Sequence, residues 1–275
     1  MASFWTMLKN VRSLIVVLLA CAFTLSPAAQ TAPQTKVVLI SDSSAVKPGS
    51  EFWVGIQFQL EPGWHTYWVN PGDSGEPAKV DWSLPAGWTA GPIVWPPPER
   101  MTNPAGVDYG YENQVTLLTK MKVGPQVKTG VGNFVLANMR WLVCKEMCIS
   151  QKGTPRTMVR VGDAATPDAN GKAVIDAVLA KLPKALPPTW KANVLSNQSQ
   201  WLLNFRPGFK VNQAAFFPAE PQVVENAAPQ KLSATSMRAQ LSLKKESGSK
   251  QPTSLKGVLL LNGSDAYNVD LPLKK

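Results

Sequence analysis

Three stretches of this chain alternate between apolar and polar residues, and this period of two limits the possible fold more than any other feature. The apolar side of the first stretch consists of Phe52, Val54, Ile56, Phe58 and Leu60. The second stretch has Val115, Leu117, Thr119, Met121 and Val123 on one side, and the third has Val135, Ala137, Met139, Trp141 and Val143. Successive side chains of a strand point to opposite faces, so the pattern predicts strands with one buried face.

Shorter strand-like runs surround these three stretches. They span 36–41, 64–69, 78–84 and 155–161, and Pro and Gly residues separate them. About seven short strands with turn signals between them are typical of a β-sandwich. Trp64, Trp68, Trp82, Trp88 and Trp95 are expected to fill its core, because large rings dominate such interiors.

The second half of the chain predicts one helix followed by more strands. Apolar residues recur at helical spacing between Asp168 and Leu182, with Asp168 as N-cap and Pro183 as the stop. A Pro-rich connection follows, and Asn262-Gly263 is expected at the turn of a hairpin near the C-terminus. We expect a second β-sandwich in this half.

The N-terminus has the layout of a secretory signal peptide. Lys9 and Arg12 precede an apolar stretch over residues 13–25 and small residues at 26–29, so cleavage is expected near Ala28. A competing interpretation makes Cys21 the lipidated N-terminus of a lipoprotein. No later run approaches the roughly 18 apolar residues of a membrane-spanning helix. The mature protein is expected to be soluble outside the cytoplasm.

Charge and histidine content exclude several classes of function. The net charge is +10, and residues 166–275 hold most of the excess, with 14 basic and 7 acidic side chains. Such a half can face an acidic partner or a membrane surface, or be a solvated surface. Nucleic acid is not an expected partner of an exported chain without a binding motif. His65 is the only histidine, which excludes a zinc site built from a cluster of histidines. Conventional hydrolase chemistry is not expected.

Two cysteines remain after signal-peptide cleavage, Cys144 and Cys148. An even pair in an oxidising compartment normally forms a disulfide. In an extended strand their Cα atoms would be roughly 13 Å apart, whereas a disulfide needs about 4.4 to 6.8 Å. The chain must therefore turn between them. The spacing alone leaves both an exchangeable pair and a structural staple open.

Four motifs in order resemble the N-terminal periplasmic domain of the DsbD and ScsB thiol-disulfide reductases. They are the segment from Gly63 to Gly75 (GWHTYWVNPGDSG), Trp95 to Pro98, Tyr109 to Tyr111, and Val143 to Cys148. The resemblance covers about residues 36–165 and implies an immunoglobulin-like domain in which Cys144 and Cys148 exchange electrons. It also implies a loop that shields the pair. The candidate is the Pro- and Gly-rich stretch from Glu99 to Tyr111, with Glu99, Arg100, Asp108, Tyr109 and Tyr111 as its residues, and an ordinary long connection between strands is the open alternative.

The resemblance completes the predicted organisation. The fold class is all-β, with two immunoglobulin-like β-sandwich domains joined by one short helix and a Pro-rich linker. The boundaries are 1–28 for the signal peptide, 33–165 for the redox domain, 166–188 for the helix and linker, and 189–275 for the second sandwich.

The predicted function is periplasmic thiol-disulfide exchange by an oxidoreductase without a cofactor or metal. The family's reductases continue into a membrane domain and a thioredoxin-like domain that are not found before Lys275. A separate membrane-embedded donor is therefore expected to supply electrons for periplasmic thioredoxin-like or other disulfide-containing proteins. Cytochrome c maturation and copper tolerance are the candidate processes.

The sequence leaves three further interpretations open. Cys144, Met147 and Cys148 are soft ligands suited to Cu(I), with Met101, Met121 and Met139 near in sequence. The chain can also be a non-enzymatic binding or assembly module stapled by a structural disulfide. His65 and Asp73 are either functional or part of a demanding turn between strands.

Overall fold

The computed structural model describes residues 34–104, 106–130, 132–248 and 252–274. The predicted signal peptide and Cys21 lie outside the described residues. The first β unit contains thirteen strands with the following bounds: β1 Thr35–Ser41, β2 Ser43–Val46, β3 Glu51–Leu60, β4 His65–Gly72, β5 Lys79–Ser83, β6 Trp88–Val94, β7 Glu99–Asn103, β8 Gly106–Glu112, β9 Gln114–Val123, β10 Gly132–Cys144, β11 Cys148–Gly153, β12 Arg156–Val161 and β13 Thr166–Pro167.

The first β unit is built from two sheets. One has the strand order β1-β3-β9-β6, and the other has the order β13-β2-β12-β10-β4-β8-β7, with β5 and β11 also paired to β10. Apart from the short β12·β2 contact, the strand pairs in both sheets are antiparallel. The prediction of an all-β, immunoglobulin-like fold is confirmed.

The alternating stretches form the core of this unit. Val54, Ile56, Leu117, Val135 and Val143 are at most 2% exposed, as the period of two requires for the inward face of a strand. Of the five tryptophans predicted for the core, Trp68 and Trp88 are buried, and the other three are half-buried against it. Burial of this apolar face is the main contribution that holds the two sheets together.

The helix predicted in the middle of the chain is present. Helix α1 spans Ala169–Leu179, and the Asp168 carboxylate accepts a hydrogen bond from the amide of Gly171 at its N-terminus. A short 3-10 turn at Pro188–Trp190 follows in the Pro-rich connection. No helix among the described residues is long and apolar enough to cross a membrane.

The second β unit contains the remaining strands, with the following bounds: β14 Lys184–Ala185, β15 Asn193–Ser196, β16 Gln200–Phe205, β17 Ala214–Pro218, β18 Lys231–Ala234, β19 Ala239–Lys244, β20 Ser254–Leu261 and β21 Asp265–Lys274. They form one hydrogen-bonded sheet with the order β17-β20-β21-β15-β16-β19-β18, and β14 lies beside β21. Both halves of this sheet face one core, to which β16, β19 and β20 contribute buried leucines. The predicted turn at Asn262-Gly263 joins β20 to β21.

The two β units pack against each other directly. Phe217 and Val258 of the second unit are buried in the core of the first. The Phe217 ring meets Tyr109 edge-on at 5.4 Å and Trp68 at 6.4 Å between centroids. The chain from Gln34 onward therefore forms one compact unit. The domain boundaries proposed from the sequence stay a prediction.

Candidate functional site

Cys144 and Cys148 lie opposite each other at the end of a hairpin. Strands β10 and β11 pair antiparallel, and the last pair in their register is Cys144 with Cys148. The loop between them is Lys145, Glu146 and Met147, and the two Cα atoms are 4.1 Å apart. The two sulfur atoms form a disulfide. The turn predicted from the spacing of the cysteines is therefore this hairpin.

The two cysteines differ in exposure because they occupy different strands. Cys144 has β11 on one side and β4 on the other, where it pairs with His65, and it is only 4% exposed. Cys148 begins β11 and is exposed, as is Met147 beside it. Cys148 is therefore the exposed residue of the pair and Cys144 the buried one.

Tyr67 of β4 contacts the disulfide from inside the protein. Its hydroxyl donates a hydrogen bond to Sγ of Cys144 at 2.7 Å and lies 3.5 Å from Sγ of Cys148. Tyr67 is 1% exposed, and burial raises the pKa of its hydroxyl. The hydroxyl is therefore protonated at neutral pH and is available as a donor to sulfur.

The backbone of Gly75 covers the ring of Tyr67. A Cβ atom at Gly75 would collide with the outer carbons of that ring, and the φ of Gly75 is +81°. Glycine is suited to both conditions, because it tolerates positive φ and leaves room for close approach. The segment Gly72–Gly75 therefore fixes where the Tyr67 ring lies.

A buried carboxylate stands next to this segment. Asp108 is 1% exposed, and it accepts hydrogen bonds from the amide and hydroxyl of Ser74 and, at 2.6 Å, from the side chain of Asn103. Nε2 of His65 lies 3.7 Å from Asp108, and the His65 ring meets Tyr67 edge-on at 5.3 Å. The carboxylate is thus satisfied by neutral donors within the protein.

His65 is held mainly in its neutral form. Burial lowers the pKa of its imidazole, and the negative charges of Asp108 and Glu112 oppose that shift only in part. Its Nε2 has no hydrogen-bond partner among the described residues. His65 is therefore a neutral ring that contacts Tyr67, and its backbone pairs with that of Cys144.

Asp73 makes its contacts away from the disulfide. Its carboxylate accepts hydrogen bonds from the amide of Val107 and from the side chain of Asn226, both at 2.7 Å. Gly72 and Gly75, on either side of it, both have positive φ. These observations agree with the interpretation of the motif as a demanding turn.

The five residues expected to shield the pair lie on the β7–β8 hairpin, which is regular rather than a long irregular connection. Glu99 is exposed. Arg100 and the Tyr109 hydroxyl both bond to Asn226, and burial raises the pKa of Tyr109 to about 12. The Tyr111 hydroxyl bonds to the carbonyl of Pro96. Among these five residues, Asp108 is the one whose described side-chain contacts include Ser74 and His65, which lie beside Tyr67.

Tyr67, Ser74 and Asn226 received no role from the sequence, although the first two lie in the segment Gly63–Gly75. Alternation along β4 indicates that Tyr67 is buried, but its sulfur partner is 77 positions away. Of the four methionines considered for copper, Met121 and Met139 are buried in the core, Met101 is half-buried and Met147 is exposed. Among the described residues, His, Cys, Asp and Glu form no cluster that could hold a metal ion.

Comparison with known proteins places the first unit in a family. Residues 36–158 match the family model of the N-terminal region of the thiol:disulfide interchange protein DsbD. No curated protein sequence matches the chain.

The N-terminal periplasmic domain of ScsB from Proteus mirabilis has a similar fold, with a TM-score of 0.66 and 17% identity over 88% of this chain and 94% of that one. Spo0M, a sporulation control protein from Bacillus subtilis, aligns over 88% of this chain and 91% of its own at 9% identity, with a TM-score of 0.26. The TM-score of Spo0M is too low to carry an argument.

The match to the family model shows that residues 36–158 form a domain of the DsbD N-terminal family, the thiol-disulfide interchange family.

Proposed function

We propose that this protein is a periplasmic thiol-disulfide exchange protein that accepts electrons from a membrane-embedded donor and passes them to periplasmic disulfide proteins. The observation that carries the proposal is the asymmetry of the pair. Exposed Cys148 is bonded to buried Cys144, whose sulfur accepts a hydrogen bond from Tyr67. A disulfide with one accessible sulfur and a stabilised leaving group is suited to exchange.

The first half of the cycle reduces the pair. A thiolate of the donor attacks Sγ of Cys148, the bond between Cys148 and Cys144 breaks, and Cys144 leaves as a thiolate. The Tyr67 hydroxyl stabilises that thiolate until it takes up a proton. The donor's second thiolate then attacks the donor sulfur that is bonded to Cys148 in the mixed disulfide. This releases Cys148, so that the donor becomes a disulfide and the pair a dithiol.

The second half of the cycle reverses these roles. The Cys148 thiolate attacks a substrate disulfide and releases one substrate thiolate. Cys144 then attacks Sγ of Cys148 in the mixed disulfide, which reforms the internal bond and releases the substrate as a dithiol. Two electrons pass to the substrate in each cycle. Cys148 is therefore the attacking cysteine and Cys144 the resolving one, a distinction that the sequence leaves open.

Burial of Cys144 makes the Tyr67 hydrogen bond important. A thiolate in a desolvated site is costly, and a hydrogen bond to a charged group stabilises it by roughly 1.5–3 kcal/mol. Tyr67 is therefore proposed as a catalytic residue, since its hydroxyl touches the reacting sulfur. The β7–β8 hairpin is proposed to shield this site by holding Asp108 beside Ser74 rather than by covering the sulfurs itself.

Single-cysteine variants test the proposal. In Cys144→Ser the exposed Cys148 should form a mixed disulfide with oxidised glutathione at least tenfold faster than Cys144 does in Cys148→Ser, because the second thiol is buried. The Cys144→Ser variant should also retain a covalently bound partner in periplasmic extracts. Equal and slow reaction of both variants, with full biological activity of a double alanine variant, would instead favour a binding module with a structural disulfide.

A further inference from the structure

The segment Gly72–Gly75 lies between the disulfide and the second β unit. On one side the backbone of Gly75 packs on the ring of Tyr67, whose hydroxyl bonds to Cys144. On the other side the Asp73 carboxylate accepts a hydrogen bond from Asn226 of the second unit. A continuous set of contacts therefore links the second unit to the sulfur.

Asn226 makes three polar contacts with the first β unit. It lies between β17 and β18 and is 7% exposed. Its Nδ2 donates to Asp73 at 2.7 Å, its Oδ1 accepts from the Tyr109 hydroxyl at 3.1 Å, and its backbone carbonyl accepts from Arg100 at 2.8 Å. The buried side-chain amide joins Asp73 to Tyr109, and the backbone carbonyl adds Arg100. One residue therefore fixes the relative positions of three residues of the first unit.

A second buried asparagine supports the other end of the same segment. Asn70 of β4 is 1% exposed, and its Nδ2 donates to the carbonyl of Pro218 at 2.7 Å. Its Oδ1 accepts the amide of Gly72 at 3.2 Å. The turn is thus tied to the second unit both before and after Gly72, whereas Cys148 is exposed.

We propose that the second β unit is part of the redox site, and that Asn226 is a positioning residue that holds Asp73 and Gly75 so that Tyr67 keeps its hydrogen bond to Cys144. This inference rests on the proposed exchange function and assigns the second unit a role in it. Without the Asn226 amide, Asp73 keeps only its bonds to Val107, and the cover over Tyr67 loosens.

The test compares two variants of one connecting segment in the full mature chain. Asn226→Ala removes the side-chain bonds to Asp73 and Tyr109 and keeps the backbone carbonyl that accepts from Arg100. Gln230→Ala, the matched control, removes two bonds to the backbone of Phe216 inside the second unit. We measure the rate of disulfide reduction by dithiothreitol, the equilibrium constant with the same reagent, and thermal unfolding. Asn226→Ala should be reduced three- to tenfold more slowly and less completely, and Gln230→Ala should stay within twofold of the wild type.

A double-mutant cycle identifies the route of the effect. In a Tyr67→Phe background, Asn226→Ala should cause no further slowing, because the hydroxyl that it positions is gone. Asn226→Asp, which places a second carboxylate beside Asp73, should slow reduction at least as much as Asn226→Ala. Asn226→Ser, which keeps a small polar side chain but not the bond to Asp73, replaces the alanine variant if that variant does not fold.

The results that would overturn the positioning role of Asn226 differ from those that would overturn the proposed exchange function. If Asn226→Ala or Asn226→Ser matches Gln230→Ala, or if its effect adds fully to that of Tyr67→Phe, the positioning role is overturned while exchange by the wild type stands. If the wild-type disulfide resists both dithiothreitol and glutathione buffers, the proposed function itself fails. A loss of thermal stability without a change in rate or equilibrium would identify the contact between the units as purely structural.

Discussion

Two hairpins of this protein have three-residue loops but are closed in different ways. The β20–β21 hairpin pairs Leu261 with Asp265, and its turn residues Asn262 and Gly263 have φ values of +50° and +79°. The β10–β11 hairpin pairs Cys144 with Cys148, and none of its three described loop residues has positive φ. One is closed by residues suited to the turn and the other by a covalent bond.

The side chain of Asn262 adds to this difference. It accepts hydrogen bonds from the amides of Asn212 and Gln213 and donates to the carbonyl of Lys210. The loop at Lys145–Met147 has a weaker internal bond, from the Lys145 amide to the Met147 carbonyl at 3.3 Å. The β10–β11 hairpin is therefore closed mainly by its disulfide, and the proposed exchange function requires that this bond can be opened.

Opening the disulfide should have the largest effect on this comparison. Closing a loop of five residues stabilises it by about 2 kcal/mol in the chain-entropy model. Reduction should therefore increase amide hydrogen exchange at Lys145–Cys148 by about thirtyfold, and leave exchange at Asn262–Ser264 unchanged. A double Cys→Ser variant at Cys144 and Cys148 is the control and should resemble the reduced protein. Equal protection in both redox states would show that the disulfide does not hold this hairpin.

Loss of the Tyr67 hydroxyl should have the next largest effect. Removal of a hydrogen bond to a thiolate costs about 1.5 kcal/mol or more, so Tyr67→Phe should be reduced by dithiothreitol about tenfold more slowly. Tyr111→Phe is the matched control, because Tyr111 is also buried but bonds to Pro96. Stopped-flow measurement of both variants decides the point, and equal rates would remove Tyr67 from the mechanism.

A substitution in the β20–β21 hairpin should change the stability of the protein but not the rate of disulfide reduction. Asn262→Ala loses three hydrogen bonds and places alanine at positive φ, so the free energy of unfolding should fall by about 1–2 kcal/mol. Asn262→Asp keeps the acceptor for Asn212 and should lose less. The rate of disulfide reduction should be the same in both variants as in the wild type. A slower rate in Asn262→Ala would show that the two hairpins are coupled.

The smallest expected effect concerns pH. Burial lowers the pKa of His65 below 6.5, so the unfolded chain binds more protons just below that pH. The free energy of unfolding should therefore decrease as the pH falls from about 7.5 to about 5.5. His65→Gln should lack this part of the decrease in urea unfolding at the two pH values. An identical decrease in both proteins would mean that folding does not lower the pKa of His65.

Local patterns were sufficient to predict much of the fold. The period of two in β3, β9 and β10 follows from burial of one face, and Asp168 caps α1 because a carboxylate there can accept the amide of Gly171. The Asn262-Gly263 turn was also predicted, since positive φ selects these residue types. The cysteine pair could be identified from its spacing and its motif.

The contacts that complete the site had no local signal. Tyr67 bonds to a sulfur 77 positions away, and Asn226 bonds to Asp73 across 153 positions. Such pairs arise only when β4 lies beside β10 and the two units pack together. The segment Glu99–Tyr111 appeared irregular from its Pro and Gly content, but Gly106, at φ +139°, begins β8 directly after the turn from β7.

The reduction potential of Cys144 and Cys148 tests the central claim most directly. The chain from residue 29 onward is equilibrated in glutathione or dithiothreitol buffers of known potential, and the fraction of the two thiols that can be alkylated is measured. An exchangeable pair predicts a potential of about −230 mV or higher. A potential below about −300 mV is typical of structural disulfides and would contradict the account.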